Sequence, residues 1–451
     1  MDEVQKRVEA FLDEKRKEFP RLFFISNDEL LQLLSNNSIE GLEPQLNKLF
    51  DQLYGLTKHQ DQNITDLVGM RSADGEELEF MKAVKVSSQA TCEVWLSEIA
   101  KGMFDTVKRE IRNAHGELNK DPDSRQEWVL KSSGQAVAVA SMLNFTNQVE
   151  ETIGFMHEDP FALEEYSKEC NHNLMLLVEL IRRDLTKVQR KGLTALITHE
   201  VHNKDIILDL SDKRVETLED FNWRKCLRYY IDEDSQGSRV NVCQVNAKLD
   251  YGNEYMGVTS RLVITPLTDR CWLTITGALH IKLGASPKGP AGTGKTESTK
   301  DLAKGLGIFC LVFNCSDQIE YRVMTRIFSG VVQAGVWTCL DEFNRIDVAV
   351  MSVIAQQLGD IRQAKLTNAD EFYLNEKQMR IDHNCGVFIT MNPGYQGRAE
   401  LPDNLKVLFR AVAMMIPNYE MVAEVMLYSE GFDEAKILAK KMVQLYKLSS
   451  E

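Results

Sequence analysis

Residues 289–296 read GPAGTGKT and are the most informative motif for the structure of the second half of this 451-residue chain. The stretch satisfies the pattern G-x-x-x-x-G-K-[ST], in which glycines let backbone N–H groups wrap phosphate oxygens and the following helix offers its positive end. In such a loop Lys295 reaches the β- and γ-phosphates of a nucleotide, and Thr296 ligates Mg²⁺. The sequence therefore predicts a nucleotide-binding loop ahead of a helix. The preceding residues 285–288 include Pro287 and read as a poor strand.

A pair of carboxylates follows a short apolar run about 45 residues further along the chain. Residues 336–340 read VWTCL, and Asp341 and Glu342 come directly after them. A carboxylate at a strand end holds the Mg²⁺ shell, and a second one beside it orients and deprotonates the attacking water. We predict that Asp341 belongs to the metal site and that Glu342 is the general base.

Two more polar residues flank later apolar runs. Asn392 ends the run 386–391, where its amide can hydrogen-bond the water or the γ-phosphate, but a plain turn at residues 392–394 explains it equally well. Arg410 precedes the run 411–416, where an arginine can donate to a phosphate on a neighbouring subunit or module, or form a salt bridge. The residues alone leave both pairs of alternatives open.

Strands and helices alternate around these residues. The expected strands are 308–313, 336–340, 386–391 and 411–416, and the expected helices are 296–305, 319–333, 346–361 and 404–409. Residues 372–374 and 379–381 predict a small antiparallel hairpin. The alternation predicts an α/β domain with a parallel sheet covered by helices on both faces.

The first half of the chain reads as helical. Ser26 and Glu29 have the spacing of a capping box at a helix start. One face of a long amphipathic helix is predicted from residues that recur every four positions: Trp95, Ile99, Met103, Val107 and Ile111. Long helical stretches are expected around 126–156 and 160–191. Residues 228–231 and 240–249 are β-rich and predict a hairpin, so we place a domain boundary at about residue 235.

Composition excludes several classes of protein. The charge balance of 53 basic and 67 acidic residues gives −14, which argues against binding to nucleic acid or to an anionic membrane. The nine cysteines form no C-x-x-C pair, which favours a reducing compartment such as the cytoplasm. No apolar run approaches the ~20 residues that a membrane-spanning helix needs, and the N-terminus has no signal-peptide pattern.

Several long stretches of the chain resemble the dynein heavy-chain family. They are residues 262–271 (LVITPLTDRC), 289–307 (GPAGTGKTESTKDLAKGLG), 340–345 (LDEFNR) and 388–410 (FITMNPGYQGRAELPDNLKVLFR). These stretches are similar to the family's first AAA+ module. Residues 11–36 and 227–230 look like the C-terminal part of its linker, and residues 314–317 with 344–347 resemble the axonemal branch.

The resemblance implies a domain plan and a function. It implies a helical linker portion at 1–235, the large α/β subdomain of an AAA+ ATPase module at 236–420, and the start of a helical small subdomain at 421–451. The function implied is that of a motor segment that uses the cofactors ATP and Mg²⁺ to swing the linker in ciliary and flagellar movement. The location implied is the cytoplasm, the cytoskeleton and the axoneme. We also expect the chain to be a fragment of a longer motor, weakly active or inactive as an ATPase by itself.

The resemblance also implies partners and site residues. The partners are the remaining AAA+ modules of the ring, dynein intermediate and light chains, and microtubules through a domain outside this chain. Asn392 takes the sensor I position, and Arg410 takes the arginine-finger position, directed at the preceding module. The nucleotide contacts implied are Pro266, Leu267 and Thr268 at the adenine, and Gly289, Pro290, Ala291, Gly292, Thr293, Gly294, Lys295, Thr296, Glu297 and Asp341 at the phosphates and metal.

Two alternatives remain. One is a different AAA+ remodelling ATPase, against which the long helical region before the module and the TPLTDRC stretch at 265–271 argue. The other is a nucleotide-binding regulatory module without turnover. Lys295 and Glu342 together argue against it, because a site used only for binding can dispense with the base.

Overall fold

A mainly helical N-terminal region packs against an α/β domain built on a parallel sheet. The computed structural model describes residues 2–36, 38–61, 64–86, 91–120, 125–234, 237–258, 260–393 and 400–450. This architecture confirms the predicted fold class. Among the residues described, no helix has the length and apolar character needed to cross a membrane.

Helices make up most of the N-terminal region. They are α1 (Asp2–Glu18), α2 (Asn27–Ser35), α3 (Ile39–Leu49), α4 (Cys92–Lys120), α5 (Arg125–Lys131), α6 (Gly134–Phe155), α7 (Ala162–Ile181), α8 (Lys187–Asp212) and the short α9 (Phe221–Arg224). The predicted capping box is confirmed, because Glu29 N–H donates to Ser26 Oγ at 3.3 Å and Ser26 N–H donates to Glu29 Oε2 at 2.9 Å. The predicted apolar face of α4 is buried along its whole length.

Two predicted helical stretches are each divided into two helices. The stretch 126–156 breaks between α5 and α6 because Ser133 adopts an extended backbone as the N-cap of α6. The stretch 160–191 breaks between α7 and α8 because Thr186 starts α8 with a capping box to Gln189. In both cases a hydroxyl residue that favours caps over helix interiors begins the second helix.

The N-terminal region also contains a sheet that the sequence did not predict. Strands β1 (Gly55–Asp61), β2 (Ile64–Arg71) and β3 (Glu77–Val86) pair antiparallel. In β3, Phe80 and Val84 are buried and pack beside Gly102 of α4. Their four-residue spacing fits both the strand period and the helical period, so the helical reading was wrong here.

Residues 228–234 and 237–250 form a three-stranded antiparallel sheet where a hairpin was predicted. Its strands are β4 (Arg228–Asp234), β5 (Gly237–Gln244) and β6 (Ala247–Asp250). The predicted run 240–249 is divided between β5 and β6, because the chain turns at Val245 with a φ of +50°. Residues 235 and 236, where the domain boundary was predicted, lie outside the described residues, and that boundary stays a prediction.

Strands and helices alternate along the α/β domain as predicted. They are α10 (Pro266–His280), β7 (Gly284–Lys288), α11 (Lys295–Gly305), β8 (Cys310–Asn314), α12 (Tyr321–Ala334), β9 (Trp337–Asp341), α13 (Val348–Leu366), β10 (Glu371–Leu374), β11 (Lys377–Arg380), β12 (Gly386–Ile389), α14 (Asp403–Lys406) and β13 (Phe409–Ala413). Strands β10 and β11 are the predicted hairpin. The helix predicted at 404–409 is shorter, because Phe409 already pairs with Gly284 of β7.

The parallel sheet has the strand order β13-β7-β12-β9-β8. Side chains alternate between its faces. Cys339 and Phe388 belong to the core that includes α10 and α11, whereas Leu340 and Ile389 belong to the core that includes α12 and α13. Helices therefore cover both faces, which is the arrangement expected of a parallel sheet.

Strand β7 lies in the interior of the sheet despite Pro287. The Pro287 carbonyl accepts from Met391 N–H at 3.2 Å, and the Lys288 carbonyl accepts from Met414 N–H at 2.7 Å. These bonds to the two neighbouring strands hold β7 although Pro287 has no N–H to donate. The reading of 285–288 as a poor strand was therefore wrong.

The last two described helices form an adjacent pair. Helices α15 (Tyr419–Ser429) and α16 (Ala435–Ser450) contact each other, and α15 also contacts α8 of the N-terminal region. Arg182, which follows α7, donates to the Gly431 carbonyl at 3.0 Å between the two helices. The assignment of 421–451 to a small subdomain stays a prediction.

Candidate nucleotide-binding site

The candidate site lies where β7, β9 and β12 end. In an open parallel sheet, ligands bind in the crevice outside the carboxyl ends of the strands, where the strand order changes direction. Here the chain leaves β7, crosses to the far edge at β8 and returns through β9 and β12. Gly289 N–H donates to the Met391 carbonyl at 3.2 Å, so the loop after β7 lies against the end of β12.

The conformation of the loop 289–294 requires glycine at particular positions. Gly294, the N-cap of α11, has a φ of +78°, a left-handed conformation that side chains disfavour. At Gly289 a Cβ atom would lie 2.1 Å from the Met414 carbonyl oxygen, so no larger residue fits against β13. The loop therefore runs close over the sheet and leads directly into the N-terminus of α11, where N–H groups attract anions.

Lys295 points into the loop that precedes it. Its ammonium donates to the carbonyls of Gly289 at 3.0 Å and Pro290 at 2.5 Å. Lys295 is buried, whereas residues 290–292 at the tip of the loop are exposed. A buried cation enclosed by a glycine loop with an exposed tip, at a helix N-terminus, is an arrangement suited to binding phosphate.

Thr296 and Asp341 come together in the crevice. Thr296 Oγ1 donates to Asp341 Oδ1 at 2.7 Å, which links the first turn of α11 to the end of β9. Hydroxyl and carboxylate oxygens are the hard donors that Mg²⁺ prefers. In the part of the chain that the structure describes, no group of three or more His, Cys, Asp or Glu residues can hold a metal ion alone. A Mg²⁺ ion here would need phosphate oxygens as further ligands, as is usual for this metal.

Glu342 lies next to this pair in an unusual backbone conformation. Its φ of +52° and ψ of 42° are left-handed, which is uncommon for residues other than glycine. Asn392 Nδ2 donates to Glu342 Oε1 at 3.1 Å, and Arg345 forms an ion pair with Oε2. The Glu342 side chain is 26% exposed, so water can reach it. The structure thus brings Glu342 and Asn392 together.

Asn392 itself is buried at the end of β12. Its backbone carbonyl accepts from Asn344 Nδ2 at 3.2 Å, so its main chain and its side chain both face the loop after β9. The competing interpretation, a plain turn at 392–394, includes Gly394, which lies outside the described residues.

The three predicted adenine contacts lie at the start of α10. Thr265 is the N-cap, and Thr268 N–H donates to its Oγ1 at 3.3 Å. Helix α10 packs on α11, with Trp272 Nε1 donating to the Ser298 carbonyl at 2.9 Å. Pro266 and Leu267 thus belong to the helix beside the one that starts in the loop, and their role at an adenine stays a prediction.

Two other predicted site residues have exposed side chains, and their roles stay predictions. Arg410 is exposed on the edge strand β13 and pairs in register with Ala285, at the opposite end of β7 from the loop. Glu297 is exposed on α11 and pairs with Lys300 at 3.1 Å.

A cysteine next to the carboxylates has no catalytic character. Cys315 N–H donates to the Asp341 carbonyl at 2.9 Å. Burial, together with the charges of Asp341 and Glu342, raises the pKa of the Cys315 thiol to about 12. The group therefore stays protonated and is a poor nucleophile.

The sequence did not identify Thr390 and Arg345 as site residues. Thr390 Oγ1 donates to Asp341 Oδ1 and accepts from Glu342 N–H at 3.1 Å. Its position two residues before Asn392, inside an apolar run, was a weak signal for a polar role. Arg345 falls three residues after Glu342, a spacing that allows contact within one helical turn.

Two family models match most of the chain. Residues 251–451 match the family described as "Hydrolytic ATP binding site of dynein motor region". Residues 1–114 match "Dynein heavy chain, N-terminal region 2". The first match contains every candidate site residue, and the second covers much of the helical region.

Curated relatives are similar over the whole chain. Dynein axonemal heavy chain 6 of Homo sapiens is 44% identical over 476 residues, and dynein axonemal heavy chain 1 of Mus musculus is 45% identical over 453 residues. Dynein axonemal heavy chain 12 of Rattus norvegicus is 43% identical. All of this chain is covered in each case, but it spans only 11%, 10% and 14% of these relatives.

Proposed function

This chain belongs to the dynein heavy-chain family, and we therefore propose that it binds Mg-ATP. The nucleotide would lie between the loop 289–296 and the carboxylates of Asp341 and Glu342. The observation that carries the proposal is the pairing of two features in one crevice. One is the Lys295 ammonium inside the glycine loop, and the other is the Thr296 hydroxyl on the Asp341 carboxylate.

Each residue of the crevice has a role in this proposal. The N–H groups of the loop and the start of α11 bind the phosphates, and Lys295 neutralises charge on the β- and γ-phosphates. Thr296 and Asp341 hold Mg²⁺, which supplies further neutralisation of phosphate charge when bound. Pro266, Leu267 and Thr268 border the adenine, since α10 lies against the helix that begins in the loop.

Glu342 and Asn392 are proposed to serve hydrolysis. Glu342 accepts a proton from the attacking water, and Asn392 holds its carboxylate through the 3.1 Å hydrogen bond. The partial exposure of Glu342 supports this role, because a general base must be within reach of water.

At the scale of the whole protein, we propose an ATPase of an axonemal dynein motor. Hydrolysis in the complete ring would drive a swing of the linker and thereby ciliary or flagellar movement. The similarity to axonemal relatives supports this assignment and a location in the cytoskeleton of the axoneme. The proposed partners are the other ring modules, intermediate and light chains, and microtubules through a domain outside this chain.

Arg410 is proposed to act on a neighbouring module. It lies on an exposed edge strand, remote from the loop of its own domain. An arginine in that position can donate to the nucleotide of an adjacent module, as arginine fingers supplied in trans do.

Calorimetry with the variant Lys295→Ala tests the proposed binding. Two charge-assisted hydrogen bonds of about 1.5–3 kcal/mol each are lost, so Mg-ATP affinity should fall about 100-fold or more. Lys304→Ala, at the other end of α11, is the control and should bind as the wild type does. Equal affinity of Lys295→Ala and the wild type, or no Mg-ATP binding by the wild type, would overturn the proposal.

A further inference from the structure

Thr390 contacts both carboxylate residues of the site at once. It follows β12 and is fully buried. Its Oγ1 donates to Asp341 Oδ1, and the same oxygen accepts from Glu342 N–H at 3.1 Å. Its main chain adds two more bonds to the same segment, because Thr390 N–H donates to the Leu340 carbonyl and Phe343 N–H donates to the Thr390 carbonyl, each at 3.0 Å.

The direction of these hydrogen bonds is fixed by chemistry. A backbone N–H can only donate, so the Thr390 hydroxyl must be the acceptor from Glu342. Its single proton is therefore left for Asp341, where it forms a charge-assisted bond to the carboxylate. The hydroxyl thus orients the Asp341 side chain and anchors the Glu342 main chain together.

Asp341 Oδ1 is held from two sides of the crevice. Thr296 of α11 donates to it at 2.7 Å, and Thr390 of the β12 end donates from the other side. Thr296 is itself a proposed ligand of Mg²⁺, whereas the Thr390 hydroxyl bonds to Asp341 and to the Glu342 main chain. Thr390 can therefore keep the carboxylate oriented whatever the state of the metal.

Glu342 needs an anchor because its backbone is left-handed. Such a conformation costs energy for a residue with a Cβ and persists only where the surroundings impose it. Two hydrogen bonds fix the backbone on both sides of this residue: Glu342 N–H donates to the Thr390 hydroxyl, and Phe343 N–H donates to the Thr390 carbonyl. They direct its side chain toward Asn392 and Arg345.

We infer that Thr390 is a positioning residue that sets the metal-binding orientation of Asp341 and the backbone of Glu342. The inference rests on the proposed Mg-ATP function. Partners of metal ligands typically contribute about 10–100-fold to metal affinity or activity, and Thr390 occupies that place for Asp341. Its hydroxyl bonds to Asp341 and to the Glu342 main chain, so its loss should lower the metal-dependent part of binding and leave the affinity without metal unchanged.

The test is ATP affinity measured by calorimetry on the full chain, with Mg²⁺ and with EDTA. The ratio of the two dissociation constants gives the gain from Mg²⁺. In Thr390→Val, which keeps the shape and removes the hydroxyl, this gain should fall about 10-fold or more, while the affinity in EDTA stays unchanged. Thr338→Val is the matched control, because Thr338 is equally buried on β9 but donates to the Leu311 carbonyl, away from the site.

A second pair of variants separates the hydroxyl from packing. Thr390→Ser and Thr390→Ala lose the same methyl group, but only serine keeps the hydroxyl. Serine should retain the Mg²⁺ gain and alanine should lose it, even if both variants are less stable than the wild type. An unchanged gain in Thr390→Val and Thr390→Ala, or an equal loss in Thr338→Val, would overturn this inference alone. A wild type that binds no ATP would overturn the proposed function and this role with it.

Discussion

Glu342 combines a carboxylate that water can reach with a left-handed backbone. Left-handed non-glycine residues cost about 1–3 kcal/mol and cluster at functional sites. This conformation directs the Glu342 carboxylate to Asn392 and Arg345. Such a strained backbone is expected of a general base whose carboxylate is positioned to accept a proton from water.

Replacing this base should separate binding from turnover. In a motor that carries this segment, Glu342→Gln should lower the rate of ATP hydrolysis about 10²–10⁴-fold, because glutamine cannot take a proton from water. Nucleotide affinity should stay, since the carbonyl oxygen of the new amide still accepts from Asn392 and the loop is untouched. Steady-state phosphate release together with equilibrium binding measures both quantities. The control is Glu320→Gln, which changes an exposed glutamate before α12. An unchanged hydrolysis rate in Glu342→Gln would show that Glu342 is not the general base.

The residues of the site were predictable to different degrees. Lys295, Thr296, Asp341 and Glu342 belong to two short local patterns, so the sequence predicted that they act together. Thr390 could not be identified, because its contacts depend on the pairing of β12 with β9, in which Ile389 lies beside Leu340. Such a register between segments about 50 residues apart is not encoded in a local pattern.

At the scale of elements, the strands and helices of the α/β domain followed from alternation of apolar runs. Two strands, one in this domain and one in the N-terminal region, were missed because their local sequence does not determine their structure. Strand β7 carries Pro287, yet backbone bonds to β12 and β13 keep it inside the sheet. Strand β3 buries Phe80 and Val84 at a spacing that a helix shares, so periodicity alone could not distinguish the two structures.

At the scale of the whole molecule, α11 links the site to the N-terminal region. It begins at the loop, and its C-terminal end is held by the segment that follows β6. Gly252 N–H donates to the Leu306 carbonyl and Glu254 N–H donates to the Gly307 carbonyl, each at 2.9 Å. Tyr229 of β4 donates to the Gly305 carbonyl at 2.9 Å. The two regions therefore meet at the end of the helix that starts in the crevice.

A buried ion pair also joins the N-terminal region to the segment that follows β6. Arg21, in the short 3₁₀ helix Pro20–Phe24, donates to both carboxylate oxygens of Glu254 at 2.8 and 2.6 Å. Its guanidinium also lies over the rings of Phe50 and Phe309, 4.9 and 5.5 Å from their centroids. Both charged side chains are less than 10% exposed, so each depends on the other for compensation.

Breaking this pair from one side should be strongly destabilising. Glu254→Gln leaves the Arg21 charge buried without a counter-charge, and the free energy of unfolding should fall by about 3–5 kcal/mol. Urea denaturation measures the change. The matched control is Glu3→Gln, which breaks the exposed pair of Glu3 with Arg7 and should cost at most about 1 kcal/mol. A similar small effect for both variants would show that the junction does not depend on the Arg21–Glu254 pair.

A crystal structure of the chain with Mg²⁺ and a non-hydrolysable ATP analogue would show whether the crevice at the ends of β7, β9 and β12 binds Mg-ATP. We predict the triphosphate within the loop 289–294, with Lys295 at the β- and γ-phosphates and Mg²⁺ held by Thr296 and Asp341. We also predict Glu342 facing the γ-phosphate. Density for the nucleotide at any other place on the chain, or for a triphosphate in the loop that contacts neither Lys295 nor Asp341, would contradict the account.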